Sequence, residues 1–415
     1  MNASVAAPRA RPAAVAFILL AVVLDSLAFG IVVPVLPKLI EQFQHGNTAL
    51  AAQTYGVFAT AWALMQFLFS PLLGVLSDQH GRRRVLLISL TGLGLDYVLM
   101  ALAPNLAWLF VGRVLSGITA ATYATAAAYI ADITPPEKRA ASFGYVGAAW
   151  GLGFVVGPAL GGLLGSVDPR LPFWAAAALT LANACYGWMV LPESLPVELR
   201  TRFSWMRANP LGALILIRAR KGLAGLCTMQ VLRRLAHYSL PSVFVLYASY
   251  RYGWDLMRIG LTLAFIGICT AIVQGLLVGP AVRRLGERRA ALVGLACETI
   301  SYATYALAPS GALFLCAIPF GAAAGLYGAA ADSLLSKRVS VSEQGQLQGA
   351  VASLMGLVGL IGPGLFTFSF ARAISPVAGH AVTLPGAPFL VAALMTAASL
   401  SIALKVARPL PAVMV

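Results

Sequence analysis

Three acidic side chains stand deep inside apolar runs: Asp25 in LDSLAFG, Asp96 in LDYVLMA and Glu298 in ACETISYA. Four basic ones share that setting, Arg113 in GRVLSG and the group Arg233, Arg234 and His237 in VLRRLAHY. A carboxylate or guanidinium at the centre of a bilayer costs about 2.5–3.5 kcal/mol on insertion scales, so each needs an ion partner, a wet cavity or a proton. A carboxyl group out of water holds its proton more tightly and a nearby cation loosens it, so an acid whose surroundings alternate can load and release a proton near neutral pH. Proton exchange is the chemistry these residues point to, and a structural ion pair is the competing reading for each. The three acids lie roughly 9–12 residues into their runs, which at about 1.5 Å per residue puts all of them near mid-depth. His237 is three and four residues from the two arginines, so at least one arginine shares its helix face.

The elements that must position these groups follow from composition. Of 415 residues, 60% are hydrophobic and only 10% charged, and the mean hydropathy is +0.84. A soluble domain is about one quarter charged, so a water-soluble fold is excluded. A spanning helix takes roughly 20 apolar residues. Twelve apolar stretches occur, near 14–37, 53–73, 85–103, 107–128, 140–164, 171–191, 222–248, 259–280, 290–308, 311–331, 346–371 and 387–404. The first is too long for a signal peptide's apolar region and stays in the mature protein. The five cysteines sit in apolar runs without a CxxC pair and read as core residues, while His45, His80 and His380 fall in loops and suggest no metal site.

If the N-terminus is cytoplasmic, the cytoplasmic segments hold 21 of the 29 Lys and Arg and the opposite side five, Lys38, Arg170, Arg251, Arg258 and Arg372. Positive-inside bias then puts both termini in the cytoplasm and accounts for the net charge of +15 without nucleic acid. The expected organisation is an N-terminal six-helix bundle over 1–191, a basic cytoplasmic linker over 192–221 and a C-terminal six-helix bundle over 222–415. Glycines repeat 205 residues apart (Gly74 and Gly279, Gly81 and Gly286, Gly144 and Gly349), as do Gly157-Pro158 and Gly362-Pro363. Two related halves suit a carrier that rocks about a midplane site.

Two further patterns are local. GVLSDQHGRRR, 74–84, joins the second and third stretches; Gly74 and Gly81 permit a tight turn and close helix approach, and Asp78 with Arg82, Arg83 and Arg84 offers ion pairs that form in one conformation and break in another. A plain positive-inside turn is the bland alternative. In the counterpart GPAVRRLGERR, 279–289, Arg283 falls where Asp78 would. The fifth stretch carries Gly153, Gly157, Gly161 and Gly165 on one helix face, which lets another backbone approach closely.

GVLSDQHGRRR resembles the loop signature of the major facilitator superfamily. LDSLAFGIVVPVLPKL (24–39), GRVLSGITAATYATAAAYIADITPPEKRA (112–140) and GFVVGPALGG (153–162) are similar to segments of its drug and proton antiporters, most like the tetracycline efflux proteins; LGERRAALVGLACETISYATYALA (285–308) and QGQLQGAVASLMGLVGLIGP (344–363) extend the likeness. The resemblance implies an all-α membrane fold of twelve helices in two pseudo-symmetric bundles. It implies proton-coupling roles for Asp25, Asp96 and Glu298, where the tetracycline exporters carry an aspartate at the last position, and a buried arginine at Arg113 that tunes a neighbouring carboxylate. Gln66 and Gln274 match glutamines that line the drug path. Thr270 departs from a histidine linked to proton coupling; His237, beside Arg233 and Arg234, is read either as a satisfied core residue or as a substitute for that histidine. Asp132 joins Asp78 and the loop arginines in a gating network near Arg139, and Gly153, Gly157, Pro158 and Gly161 form the antiport helix.

The aromatics Tyr97, Tyr123, Trp150, Tyr238 and Tyr305 are read as packing or lipid-facing before cavity-lining, and Asp332 as interfacial. No GxxxxGK[ST], HExxH or GxSxG occurs, and Cys and His do not cluster, so neither direct use of ATP by that motif nor a membrane-embedded enzyme is indicated. The expectation is a proton-coupled secondary transporter of the bacterial inner membrane that exports a small amphipathic drug, tetracycline-like, by alternating access. An exporter of another drug or metabolite comes next and an uptake symporter after it. No cofactor is implied beyond the proton gradient, a tetracycline would arrive as a divalent-metal chelate, and the functional unit expected from the superfamily is a monomer.

Overall fold

The structure, a computed structural model, describes residues 12–120, 122–135, 138–201, 223–328, 331, 344–375 and 383–406. Among these residues no strand occurs, and the twelve apolar stretches are helical. In chain order the helices are α1 (Pro12–Val32), α2 (Leu36–Phe43), α3 (Thr48–His80), α4 (Arg82–Leu102), α5 (Leu106–Thr119), α6 (Thr122–Ile133), α7 (Arg139–Val167) and α8 (Leu171–Val190). They continue with α9 (Leu223–His237), α10 (Ser239–Tyr252), α11 (Leu256–Ile272), a π-helical turn (Val273–Leu277), α12 (Val278–Leu307), α13 (Gly311–Ala322), α14 (Gln344–Ile374) and α15 (Ala387–Val406). Asp332, Lys337, Arg338, His380 and the linker from 202 onward lie outside the described residues.

Nine helical segments among the described residues are long and apolar enough to cross a membrane. One of them, Leu256–Leu307, has 52 residues, about 78 Å at 1.5 Å per residue, far more than a hydrocarbon core of about 30 Å. It turns at Gly286, whose φ of 75° is left-handed, and so provides two crossings. The fourth and seventh apolar stretches are each divided between two helices, α5 with α6 and α9 with α10, which brings the crossings to twelve.

Proline explains two of the interruptions. Pro34 and Pro37 remove backbone donors where α1 gives way to α2, and Pro241 does so one turn beyond the end of α9 at His237. The two breaks lie about 205 residues apart, and the offset recurs in the left-handed glycines Gly81 (φ 100°) and Gly286 (φ 75°) and in Pro158 and Pro363 inside α7 and α14. The duplication seen in the glycines is thus also a duplication of backbone shape.

The chain divides into two compact units, Met1–Leu36 with Leu64–Asn209, and Pro37–Ala63 with Pro210–Val415. This differs from halves at 1–191 and 222–415 in one stretch, 37–63, which packs with the second unit. The reason is local: Lys38 on α2 donates to Ser249 Oγ on α10 at 2.8 Å, and Gly56 on α3 lies against Thr367 on α14.

In the first unit, Ile18, Val22, Leu86, Tyr129 and Val146 form the centre of a buried cluster. The glycine face of α7 meets α1. A Cβ at Gly157 would lie 2.7 Å from Gly30 Cα and one at Gly161 2.1 Å from the Ile31 carbonyl oxygen. Backbone rather than flexible side chain occupies that space, so Gly161→Ala is expected to lower stability by about 1–3 kcal/mol, the usual cost of overpacking. Gly147→Ala, with open space around it, is expected to be neutral or slightly stabilising; thermal unfolding of the purified protein in detergent compares the two.

In the second unit, Leu226, Met229, Leu295 and Tyr327 share a core. Thr299 on α12 bonds Thr396 on α15 at 3.0 Å, and Ser399 on α15 donates to the Met229 carbonyl at 2.9 Å. Toward one end, Tyr305 stacks on Phe314 with centroids 4.3 Å apart, and Tyr247 donates to the Tyr305 carbonyl at 2.8 Å. Large apolar side chains face outward elsewhere, Val167 (76% exposed) and Ile88 (67%) among them, a surface matched to lipid rather than water.

Candidate functional site

The first unit brings Asp25, Asp96 and Arg113 together from α1, α4 and α5. Asp96 is 1% exposed, Asp25 and Arg113 each 9%. Arg113 is within Coulombic reach of Asp96, and the buried Tyr97 is within reach of all three. Asp96 packs against Gly112, where a Cβ would stand 2.9 Å from its Oδ1 and 2.6 Å from Met100 Cγ. That glycine, one residue before Arg113, is what lets α4 carry a carboxyl group so close to α5. Both oxygens of Asp96 and Oδ1 of Asp25 have no hydrogen-bond partner among the described residues. A buried carboxylate left in that condition is costly, and a proton removes the charge.

Glu298, 2% exposed on α12, is handled differently. Arg233 Nε on α9 donates to its Oε2 at 2.7 Å, and the guanidinium lies over the Tyr327 ring, 4.6 Å from the centroid. The ion pair and the ring contact fix the arginine in place. Of the three basic residues of α9, Arg233 therefore serves Glu298, whereas Arg234 and His237 are exposed. Thr270, where the resemblance implied a missing histidine, bonds its own helix at the Ile266 carbonyl, 2.8 Å. Gln274 is exposed within the π-helical turn, a backbone irregularity that often marks functional positions. Gln66 is half-buried on α3.

A third cluster forms around the 74–84 loop, within the first unit. Arg82 pairs with Asp78, with Asp132 Oδ2 at 3.2 Å and with Ser77 Oγ at 2.6 Å. The other expected members go elsewhere: Arg83 donates to the Trp188 carbonyl at 2.7 Å and lies over its ring, and Arg139 donates to the Thr134 carbonyl at 3.2 Å. Among the described residues the network thus holds Arg82, while Arg83 and Arg139 reach carbonyls instead. Gly81 does make the tight turn. Gly74 instead lies inside α3, where an added Cβ would meet nothing within 4 Å among the described residues, and it serves no close approach.

Sequence reasoning did not find Glu193. Its Oε1 accepts the backbone N–H groups of Arg82 (2.8 Å) and Arg83 (3.4 Å), capping α4 from 110 residues away, and also accepts from Ser194 and Leu195. A Cβ at Gly81 would collide with its other oxygen at 2.3 Å. Ser194 adds a 3.1 Å bond to Asp132, and Thr201 N–H donates to the Asp78 carbonyl at 3.1 Å. The expected linker therefore begins as a strap on the first unit. The segment LPES carried no spacing that reveals a capping acid for a distant helix.

The sequence profile of the Major Facilitator Superfamily matches residues 18–363 and 226–413. The chain belongs to the major facilitator superfamily. Among similar proteins of this superfamily type are the class C tetracycline resistance protein of Escherichia coli, 39% identical over 89% of this chain and 93% of the relative, and the class G protein of Vibrio anguillarum, 39% identical over 84% and 88%. Solved structures with the same major facilitator fold include the human organic anion transporter MFSD10, with a TM-score of 0.67 at 23% identity over 94% of this chain and 99% of that one. The nucleoside transporter NupG (D323A mutant) has a TM-score of 0.75 at 13% identity over 94% and 100%. The chain is thus a transporter with the twelve-helix major facilitator fold, not an enzyme.

Proposed function

We propose that this protein is a proton-coupled exporter that moves a small amphipathic drug of the tetracycline class outward in exchange for protons. The observation that carries the reading is Asp96, wholly buried beside Arg113 with neither carboxyl oxygen hydrogen-bonded among the described residues. An acid in that setting has an exchangeable proton as its least costly partner. The names of the relatives supply the drug class, since both are tetracycline resistance proteins.

With the cavity open inward, Asp25, Asp96 or Glu298 gives up its proton and substrate binds; reorientation of the halves exposes substrate to the other side, and protonation there resets the cycle. Asp25 and Asp96 together outnumber Arg113 by one charge, which suits a cationic substrate such as a divalent-metal chelate of tetracycline. The loop cluster of Asp78, Arg82 and Asp132 acts as the gate. The protein acts as a monomer in the bacterial inner membrane with both termini cytoplasmic, a topology supported by the 21 Lys and Arg on one side against five on the other. A second reading, export of another drug or metabolite, is favoured by Thr270, whose hydroxyl is occupied by its own helix.

Inverted membrane vesicles from a drug-sensitive bacterium expressing the protein test this. Respiring vesicles are expected to accumulate labelled tetracycline with magnesium and to lose it when a protonophore is added. Accumulation insensitive to the protonophore would exclude antiport, and accumulation of other compounds alone would select the second reading. Glu298→Gln is expected to stop the proton-driven part; full coupling in that variant would remove Glu298 from the proton route.

A further inference from the structure

A concavity lies away from all of these residues, within the second unit between α11 and α13. It is a groove of about 760 Å³ bounded by Trp254, Arg258, Leu261, Phe265, Cys316 and Pro319 among others. Its walls are apolar except at one end. There Arg258 is exposed, and its guanidinium has no ion pair or hydrogen bond among the described residues. The nearby acid is already engaged, because Asp255 accepts the backbone N–H of Arg258 at 2.8 Å and caps α11. The one hydroxyl in the wall is also spent, Thr262 donating to the Arg258 carbonyl at 2.8 Å. Trp254, at the same end, is a residue type enriched at the membrane interface.

The dimensions add to this. From Arg258 to Phe265 and from Gly311 to Pro319 the walls run about 10–12 Å at 1.5 Å per residue, within one leaflet of a hydrocarbon core about 30 Å thick. Leu261, Phe265 and Cys316 are exposed along that length. A guanidinium unpaired among the described residues, on the first turn of α11 and at the end of an apolar trough that fits within one leaflet, is complementary to a molecule with an anionic head and a hydrocarbon tail.

We infer that this groove seats an anionic phospholipid, its phosphate on Arg258 and one acyl chain between α11 and α13. The test uses the full-length protein in nanodiscs of phosphatidylcholine doped with phosphatidylglycerol that carries a diazirine on its acyl chain. After illumination, cross-links are expected in 258–265 and 312–319. Their yield is expected to fall about fivefold in Arg258→Gln, the weight of one cation near an anionic lipid surface, and to be kept in Arg258→Lys. Phosphatidylcholine with the same diazirine is expected to label as weakly as the Gln variant does. Equal yields from both lipids and from all variants would mean ordinary boundary lipid and overturn the assignment. Displacement of the labelled lipid by tetracycline would overturn it as well, by making the groove a drug site. Proton-driven transport in Arg258→Gln, measured alongside, separates a failure of this assignment from a failure of the exporter reading.

Discussion

Asp96→Asn is expected to reduce proton-driven tetracycline accumulation in inverted vesicles by at least about a hundredfold, the usual weight of a positioned proton-transferring group. The substitution keeps the volume that Gly112 and Met100 enclose but carries no exchangeable proton. The Asp96 carboxyl group makes no hydrogen bond among the described residues, so none is lost, and the protein is expected to reach the membrane in normal amount. Binding of tetracycline, followed by its fluorescence, is expected to persist, because the loss is of coupling and not of the cavity. A variant that still acidified or alkalinised the vesicle lumen in step with drug movement would show that the proton travels by another group.

Arg233→Leu is expected to cost about 3–5 kcal/mol of stability, since it strands a buried carboxylate that had one charged partner. Glu298 has 3% of its side chain exposed and Arg233 16%, so solvent does little to relieve the stranded charge. The double variant Arg233→Leu with Glu298→Leu is expected to recover most of that loss, because removing both members of a buried pair is often neutral or stabilising. Transport is expected to stay absent in the double variant. Thermal unfolding in detergent and vesicle transport, measured on both, distinguish a working pair from a structural one: recovered stability with recovered transport would mean that the pair only holds α9 to α12.

The fold was legible because the bilayer imposes a coarse rule. Twelve apolar stretches had to be helices, and the charges between them had to sort by side. Two of the departures from twelve uninterrupted rods, at Pro34 and Pro241, have as their cause a proline whose effect on a long apolar helix depends on what its neighbours supply. The buried acids were legible for the same reason: an Asp or Glu is too costly in that setting to be incidental. Their partners were not. Arg233, Arg234 and His237 share a short stretch, and only the packing of α9 on α12 decides that Arg233 meets Glu298. The 74–84 motif also treats Gly74 and Gly81 alike, although one sits inside a helix and the other turns the chain with φ 100°. Contacts that join residues 111 positions apart, such as Glu193 with Arg82, leave no mark in local spacing.

The seam between α1 and α7 has a bearing on Asp25. Ser26, the next residue, donates to the Ala149 carbonyl at 3.3 Å and touches Gly153, and Gly30 and Ile31 touch Gly157 and Gly161. Two backbones meshed that closely resist sliding or swivelling past each other, because a displacement of a single residue drives main chain into main chain. Asp25 is therefore cargo of the whole α1–α7 pair and cannot change its surroundings by moving alone. Whatever alternates around it must be the opposite wall, formed by Asp96, Tyr97 and Arg113, or the unit moving as one piece. Engineering a faster or slower pump should accordingly begin on α4 and α5, whereas changes along the seam should first trade away sturdiness.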